Sequence, residues 1–179
     1  MERRLQAVAE SYDSAIELGR RGIDAYRDLP AHITDDPDYP LYQRMRDRGD
    51  DSHSGRPEIE AFLAPRAGMA FVDLGCCLNL MFRGYERWPS SYHGLDISAK
   101  TIELLEQYVA KRALSIGSLR CGSIHQTRYA TGFFDIGACI GVLEYYEREL
   151  VERAVREAHR ILRPGARFVL DVPDLGSPE

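Results

Sequence analysis

Apolar positions along the chain follow two regimes that meet near residue 55. Before it, Leu5, Val8, Tyr12, Ile16, Ile23 and Tyr26 recur at roughly helical spacing with charges between them. Residues 1–29 therefore read as helix, and Gly19 and Gly22 are the weak points at which it would divide in two. From 30 to 55 Pro, Asp, Gly and Arg dominate, and PDYPLYQRM is the only apolar island, so this stretch reads as loop with at most one short helix. Ser54-Gly55-Arg56-Pro57 has the form of a helix start, with proline in the first turn and Glu58 favouring the positive end. Ile59, Phe62 and Leu63 give that helix its apolar face, and Pro65 and Gly68 end it.

After Gly68 short apolar runs alternate with helical patterns. MAFVDLG is the first predicted strand and YHGLDIS the second. Ser98 is placed to cap a helix, TIELLEQYVAKRAL, whose Ile102, Leu105 and Val109 share a face. SIGSLRCG gives a weak third strand and FFDIGACIGVL a strong fourth. Glu147 to Leu162 is a well-patterned helix that Arg163-Pro164-Gly165 should stop, and ARFVLDVPD supplies a fifth strand. Strands alternating with helices mean βαβ units, right-handed crossovers and a parallel sheet covered on both faces. The predicted architecture is α/β: a Rossmann-like parallel sheet of about five strands over residues 56–179, preceded by an N-terminal helical cap over residues 1–55.

Composition narrows the class. A chain of 179 residues with 44% hydrophobic and 28% charged content suits one compact domain. A net charge of -5 disfavours a nucleic-acid surface, and the basic Arg44, Arg46 and Arg48 are neutralised by Asp47, Asp50 and Asp51. No apolar run approaches membrane-spanning length and no signal peptide is visible, which predicts a cytoplasmic protein. Cys76, Cys77, Cys121 and Cys139 lack the spacing of a zinc site or a secreted disulfide framework. They read as small buried hydrophobes, and no metal is expected.

In an open parallel sheet, ligands bind beyond the carboxyl ends of the strands, near the switch in strand order. That rule selects Gly75 to Asn79, Asp96, Gly122 to Ile124 and Cys139 to Leu143. Asp96 follows Asp73 by 23 residues, the spacing at which a carboxylate meets a ribose diol; otherwise it simply opens the turn before Ser98. A dinucleotide loop, GxGxxG, would need glycine at 75, 77 and 80, where the chain has Gly75, Cys77 and Leu80. That disfavours a nicotinamide dehydrogenase.

Five segments in order resemble the class I S-adenosylmethionine-dependent methyltransferases of small-molecule type: FVDLGCCLN, YHGLDIS, LRCGSI, FFDIGACIGVLEYY and AHRILRPGARFVL. The resemblance covers about 110 residues, a joint signal stronger than a lone glycine loop. It implies S-adenosylmethionine as cofactor and in-line methyl transfer to a small molecule. By position, Asp73, Gly75, Cys77 and Asn79 would lie along the methionine part. Asp96 would hold the ribose hydroxyls with Ile97 against the adenine, Ser123 and Ile124 would flank the adenine, and Cys139 to Gly141 would lie near the sulfonium. Asn79 stands for a glycine and tolerates left-handed backbone better than most residues. Cys77 stands for another glycine and adds a side chain, and Ser123 stands for an aspartate and loses its carboxylate. Candidates for a general base are His53, His125, Tyr145 and Tyr12, and none stands out as catalytic. LEYY lacks the histidine that such enzymes often carry there. The family's sheet also continues beyond a fifth strand, so either a second copy covers that strand's edge in a homodimer or the chain is a shortened member of the family. The rival reading is a repurposed, non-catalytic domain that binds cofactor, metabolite or partner without transferring methyl.

Overall fold

A computed structural model of the chain describes residues 2–21 and 57–172. Five parallel strands form one sheet in the order β3-β2-β1-β4-β5. They are β1 Ala70–Leu74, β2 Ser91–Asp96, β3 Ser118–Cys121, β4 Phe134–Cys139 and β5 Leu162–Leu170. The helices are α1 Glu2–Arg20, α2 Pro57–Leu63, α3 Asn79–Phe82, α4 Ala99–Arg112 and α5 Arg148–Ile161, with single 3-10 turns at Tyr85–Arg87 and Leu143–Tyr145. The chain runs outward from β1 through β2 to β3, then returns to the other side of β1 with β4. The order reverses between β1 and β4, which places the ligand-binding crevice at their carboxyl ends.

Alternation along β1 builds two cores. Phe71 faces one side with Ile59 and Leu63 of α2, Leu80 of α3, and Ile102 and Leu105 of α4. Val72 and Leu74 face the other with Ala154, Ala158 and Ile161 of α5. Helices therefore cover both faces, as the βαβ pattern requires. Phe71 is fully buried and its ring meets Tyr85 at 5.0 Å and Trp88 at 4.9 Å. Burying such a side chain contributes about 1.5–3 kcal/mol.

The capping expectation for α4 holds: Thr101 N donates to Ser98 Oγ at 3.0 Å. Other expectations change in detail. The helix expected over residues 1–29 runs unbroken through Gly19 to Arg20, and residues 22–56, with most of the predicted cap and His53, lie outside the described residues. The fourth strand is shorter than the apolar run because the chain turns at Gly141, where φ is +72°. The fifth strand starts at Leu162, before the Pro-Gly stop rather than after it. Leu162 pairs with Phe134 and Arg167 with Ile136, so residues 163–166 bulge opposite Asp135. Asp135 makes the bulge worth forming: its carboxylate accepts from Ala70 N at 2.6 Å and pairs with Arg163. α3 and the 3-10 turn after it were not foreseen.

Helix α1 packs on α4. Lys100 pairs with Glu17 at 3.3 Å and Arg20 with Glu103 at 3.7 Å. These exposed pairs orient the contact more than they stabilise it.

Candidate cofactor site

β1 ends in Asp73 and Leu74, and the chain turns sharply onto the end of β2. Gly75 N and Cys76 N both donate to Leu95 O, at 2.8 and 3.0 Å. Gly75 has φ +72°, and a Cβ there would stand 2.3 Å from Val142 Cγ2. Conformation and space both require glycine at this position. The next left-handed residue is Cys77, with φ +37°. Asn79, expected to take that conformation, is instead the first residue of α3. The strain from the missing glycine therefore falls on Cys77.

Asp96 holds Cys77 in this conformation. Its Oδ2 accepts from Cys77 N at 2.8 Å and its Oδ1 from Ser98 N at 2.9 Å. The residue is only 5% exposed, and burial raises its pKa against the pull of those amides. Each carboxylate oxygen retains capacity for a second hydrogen bond. Behind it, Ser98 Oγ donates to Asp13 Oδ1 at 2.5 Å, and Lys100 N donates to the same oxygen at 3.3 Å. α1 thus brings a second carboxylate to the start of α4, a favourable place for negative charge.

Asp73 is 1% exposed. Tyr92 Oη donates to its Oδ2 at 3.0 Å, while Oδ1 is buried with no hydrogen-bond partner among the described residues. Burial pushes its pKa up to about 7, against the opposing influence of Tyr92, of the nearby Asn79 amide and of the Arg83 guanidinium. Asn79 Oδ1 accepts from Arg83 Nε at 3.0 Å, and Arg83 Nη1 is likewise buried and without a partner.

On the other side of the crevice, Gly141 N donates to Asp171 Oδ1 at 2.8 Å, and Asp171 N donates to Cys139 O at 3.3 Å. These bonds tie the end of β4 to the end of β5. Cys139 is buried, and burial raises its thiol pKa; burial likewise pushes Cys77 up to about 11. Both remain thiols at neutral pH, which removes them as nucleophiles. Tyr146 is half-buried and pushed up to about 12 by burial, with the charge of Asp96 adding to the effect.

The predicted residues are not all brought to one place. Asp73, Gly75, Cys77 and Asp96 converge, with Cys139 and Gly141 facing them through Val142. Ile97 is half-buried, and its carbonyl accepts from Cys121 Sγ at 3.6 Å. Ile124 is 4% exposed and packs into the core beneath α5. The Ser123 hydroxyl is taken by His125, whose Nδ1 lies 2.8 Å away. Among the base candidates, His125 is buried edge-on against Tyr146 at 4.9 Å, and burial lowers its pKa, which keeps it neutral. Tyr12 is half-buried on α1, and Tyr145 lies in the Leu143–Tyr145 turn with its side chain outside those described. Arg83, Tyr146 and Asp13 were missed, and Val142 was reached only as part of the stretch Cys139 to Leu143. Only Arg83 had a local signal, its i, i+4 relation to Asn79.

A family model described as "Methyltransferase domain" matches residues 72–170, more than half of the 179-residue chain. The chain belongs to the methyltransferase-domain family. The match begins inside β1 and ends with β5, so it includes the carboxyl ends of all five strands. Among solved structures, the chain is similar to geranyl diphosphate C-methyltransferase from Streptomyces coelicolor, crystallised with Mg2+, geranyl diphosphate and S-adenosyl-L-homocysteine: 19% identity over 64% of this chain and 43% of that one, TM-score 0.56. It is also similar to the PH0226 protein of Pyrococcus horikoshii, with 20% identity over 81% and 63% and a TM-score of 0.58. The [4+2]-cyclase SpnF gives 20% over 64% and 42%, TM-score 0.57. At these identities the likeness is one of fold. The chain spans about half or less, 42–52%, of the length of the first solved structures it matches. No curated protein matches. Among the described residues, no helix is long and apolar enough to cross a membrane.

Proposed function

We propose that this methyltransferase domain uses S-adenosylmethionine as cofactor and transfers its methyl group in line to a small molecule. The supporting observation is the Asp96 carboxylate. It is buried at the end of β2, held inward by Cys77 N and Ser98 N, and keeps acceptor capacity for a sugar diol. Asp73 Oδ1, buried and unpartnered, suits the cofactor's ammonium group. Gly75 gives the close backbone approach, and Cys139 to Gly141 the opposite wall. The cofactor, when bound, supplies a methyl group already activated on a sulfonium. The protein's own work is then alignment and exclusion of water. No thiol or histidine described at the crevice is ionised or exposed as a strong base. The reading therefore favours an acceptor that needs little deprotonation by the protein.

S-adenosylhomocysteine titrated against the melting temperature tests this, because binding to the native state must raise it. The expected result is a concentration-dependent rise, abolished by Asp96→Ala. No shift at millimolar ligand removes the cofactor reading. The outer edge of β5, beside the exposed Leu170 and Val172, is the proposed contact for a second copy of the chain. Light scattering that showed a monomer would remove that part alone.

A further inference from the structure

Two buried polar atoms near the eroded turn, one on a carboxyl and one on a guanidinium, lack partners among the described residues. One is Asp73 Oδ1 at the end of β1, and the other is Arg83 Nη1 just past α3. They are linked through Asn79, which stands where the family has a glycine. Its Oδ1 accepts from Arg83 Nε at 3.0 Å, and Asn79 and Arg83 both favour the charged form of Asp73. Asp73 is fixed from its other side by Tyr92 Oη at 3.0 Å. A buried carboxyl oxygen and a buried guanidinium nitrogen without partners are costly features in a folded protein. Such a pair matches one class of ligand, an α-amino acid zwitterion, with ammonium toward the carboxylate and carboxylate toward the guanidinium.

We propose that Arg83, oriented by Asn79, binds the carboxylate of the cofactor's amino-acid end while Asp73 Oδ1 takes its ammonium. This inference rests on the cofactor reading above and adds a binding residue to it. A turn lined by glycines presents backbone N–H groups to the ligand. Here Cys77 N is already spent on Asp96, and the side chains of Asn79 and Arg83 replace what the turn no longer offers. The exchange accounts for Asn79 at a glycine position better than backbone conformation does, since Asn79 is helical.

The test compares two ligands that share the nucleoside. S-adenosylhomocysteine carries the amino-acid end and 5′-methylthioadenosine lacks it. Binding is read by calorimetry, with quenching of the single Trp88 as a second readout. The wild-type chain should prefer S-adenosylhomocysteine. Arg83→Gln should weaken S-adenosylhomocysteine by about 10- to 100-fold, the range for losing a charge-assisted hydrogen bond, and leave 5′-methylthioadenosine unchanged. Arg83→Lys should restore part of the preference. Asn79→Ala, which frees Arg83 without removing its charge, should give a smaller loss confined to the same ligand. Retained 5′-methylthioadenosine binding shows that each variant is folded. Equal wild-type affinities for the two ligands, or equal loss of both in Arg83→Gln, overturn the inference and leave the cofactor reading standing. Wild-type binding of neither ligand overturns both.

Discussion

Asp73→Asn should make the protein more stable at high pH, not less. The Asp73 carboxyl sits at about 7 in the folded chain against 3.8 for its ordinary value, chiefly because burial disfavours its charge. A raised acid binds its proton more tightly in the native state. Stability is therefore lost as pH rises from 3.8 toward 7, and the full penalty stands above that. Its size is about 4 kcal/mol at 1.36 kcal/mol for each unit of difference. Asparagine removes the charge and keeps an oxygen for Tyr92 Oη. It leaves a buried amide without a partner, which costs about 1–3 kcal/mol. The net gain at pH 8 is then about 1–3 kcal/mol. The cleaner quantity is the slope. Between pH 6 and pH 8, both above the sequence isoelectric point of 5.6, the Asp73 penalty grows by about 1.4 kcal/mol. For a chain of this size that is roughly 3–6 °C in melting temperature. Melting curves of both proteins at the two pH values measure it, and the other titrating groups cancel in the difference. The variant should gain on the wild type by that amount as pH rises. Parallel pH profiles would refute the buried, charge-opposed state of Asp73.

Two further substitutions probe the turn. Gly75→Ala must hold a Cβ at φ +72° and 2.3 Å from Val142 Cγ2, so a loss of about 2–5 kcal/mol is expected in chemical denaturation; a loss under 1 kcal/mol would mean Val142 simply moves aside. At Cys77 the usual order of small residues should invert. Alanine ordinarily exceeds glycine by about 0.5–1 kcal/mol, but at φ +37° the Cys77→Gly protein should be at least as stable as Cys77→Ala, and the opposite order would show an unstrained backbone.

The sheet was legible where packing dictates composition. β1 and β4 lie between other strands with helices on both faces, so they read as unbroken apolar runs. β3 lies at the outer edge, is only partly buried, and read weakly for that reason. Ser98 was readable as a cap because its partner, Thr101 N, is local. Pro164-Gly165 misled because a bulge admits proline and left-handed glycine inside a strand, and its anchor, Asp135, is distant in sequence. The crevice followed from topology, which selected Gly75 to Asn79 and Asp96 before any resemblance was considered, whereas Asp73 came in only with the resemblance. Asp13 could not be seen at all, since its contact with Ser98 spans 85 residues and has no periodic signature. Ser123 was assigned by position in a motif, and position alone did not show that His125, two residues on, takes its hydroxyl.

Loss of glycine at 77 changes what holds the turn. A glycine adopts left-handed backbone without help, so such a turn keeps its shape whatever lies beside it. Cysteine in that region costs about 1–2 kcal/mol. The bond from Cys77 N to the Asp96 carboxylate, at 2.8 Å, contributes about 1.5–3 kcal/mol and outweighs the strain. The shape of the turn is thereby made conditional on Asp96. Asp96 also takes Ser98 N, and Ser98 gives its hydroxyl to Asp13 on α1. The end of β2, the turn after β1 and helix α1 are thus joined through one carboxylate. Helix α1 is therefore connected to the Asp96 carboxylate through Ser98, beside its contacts with Lys100 and Glu103.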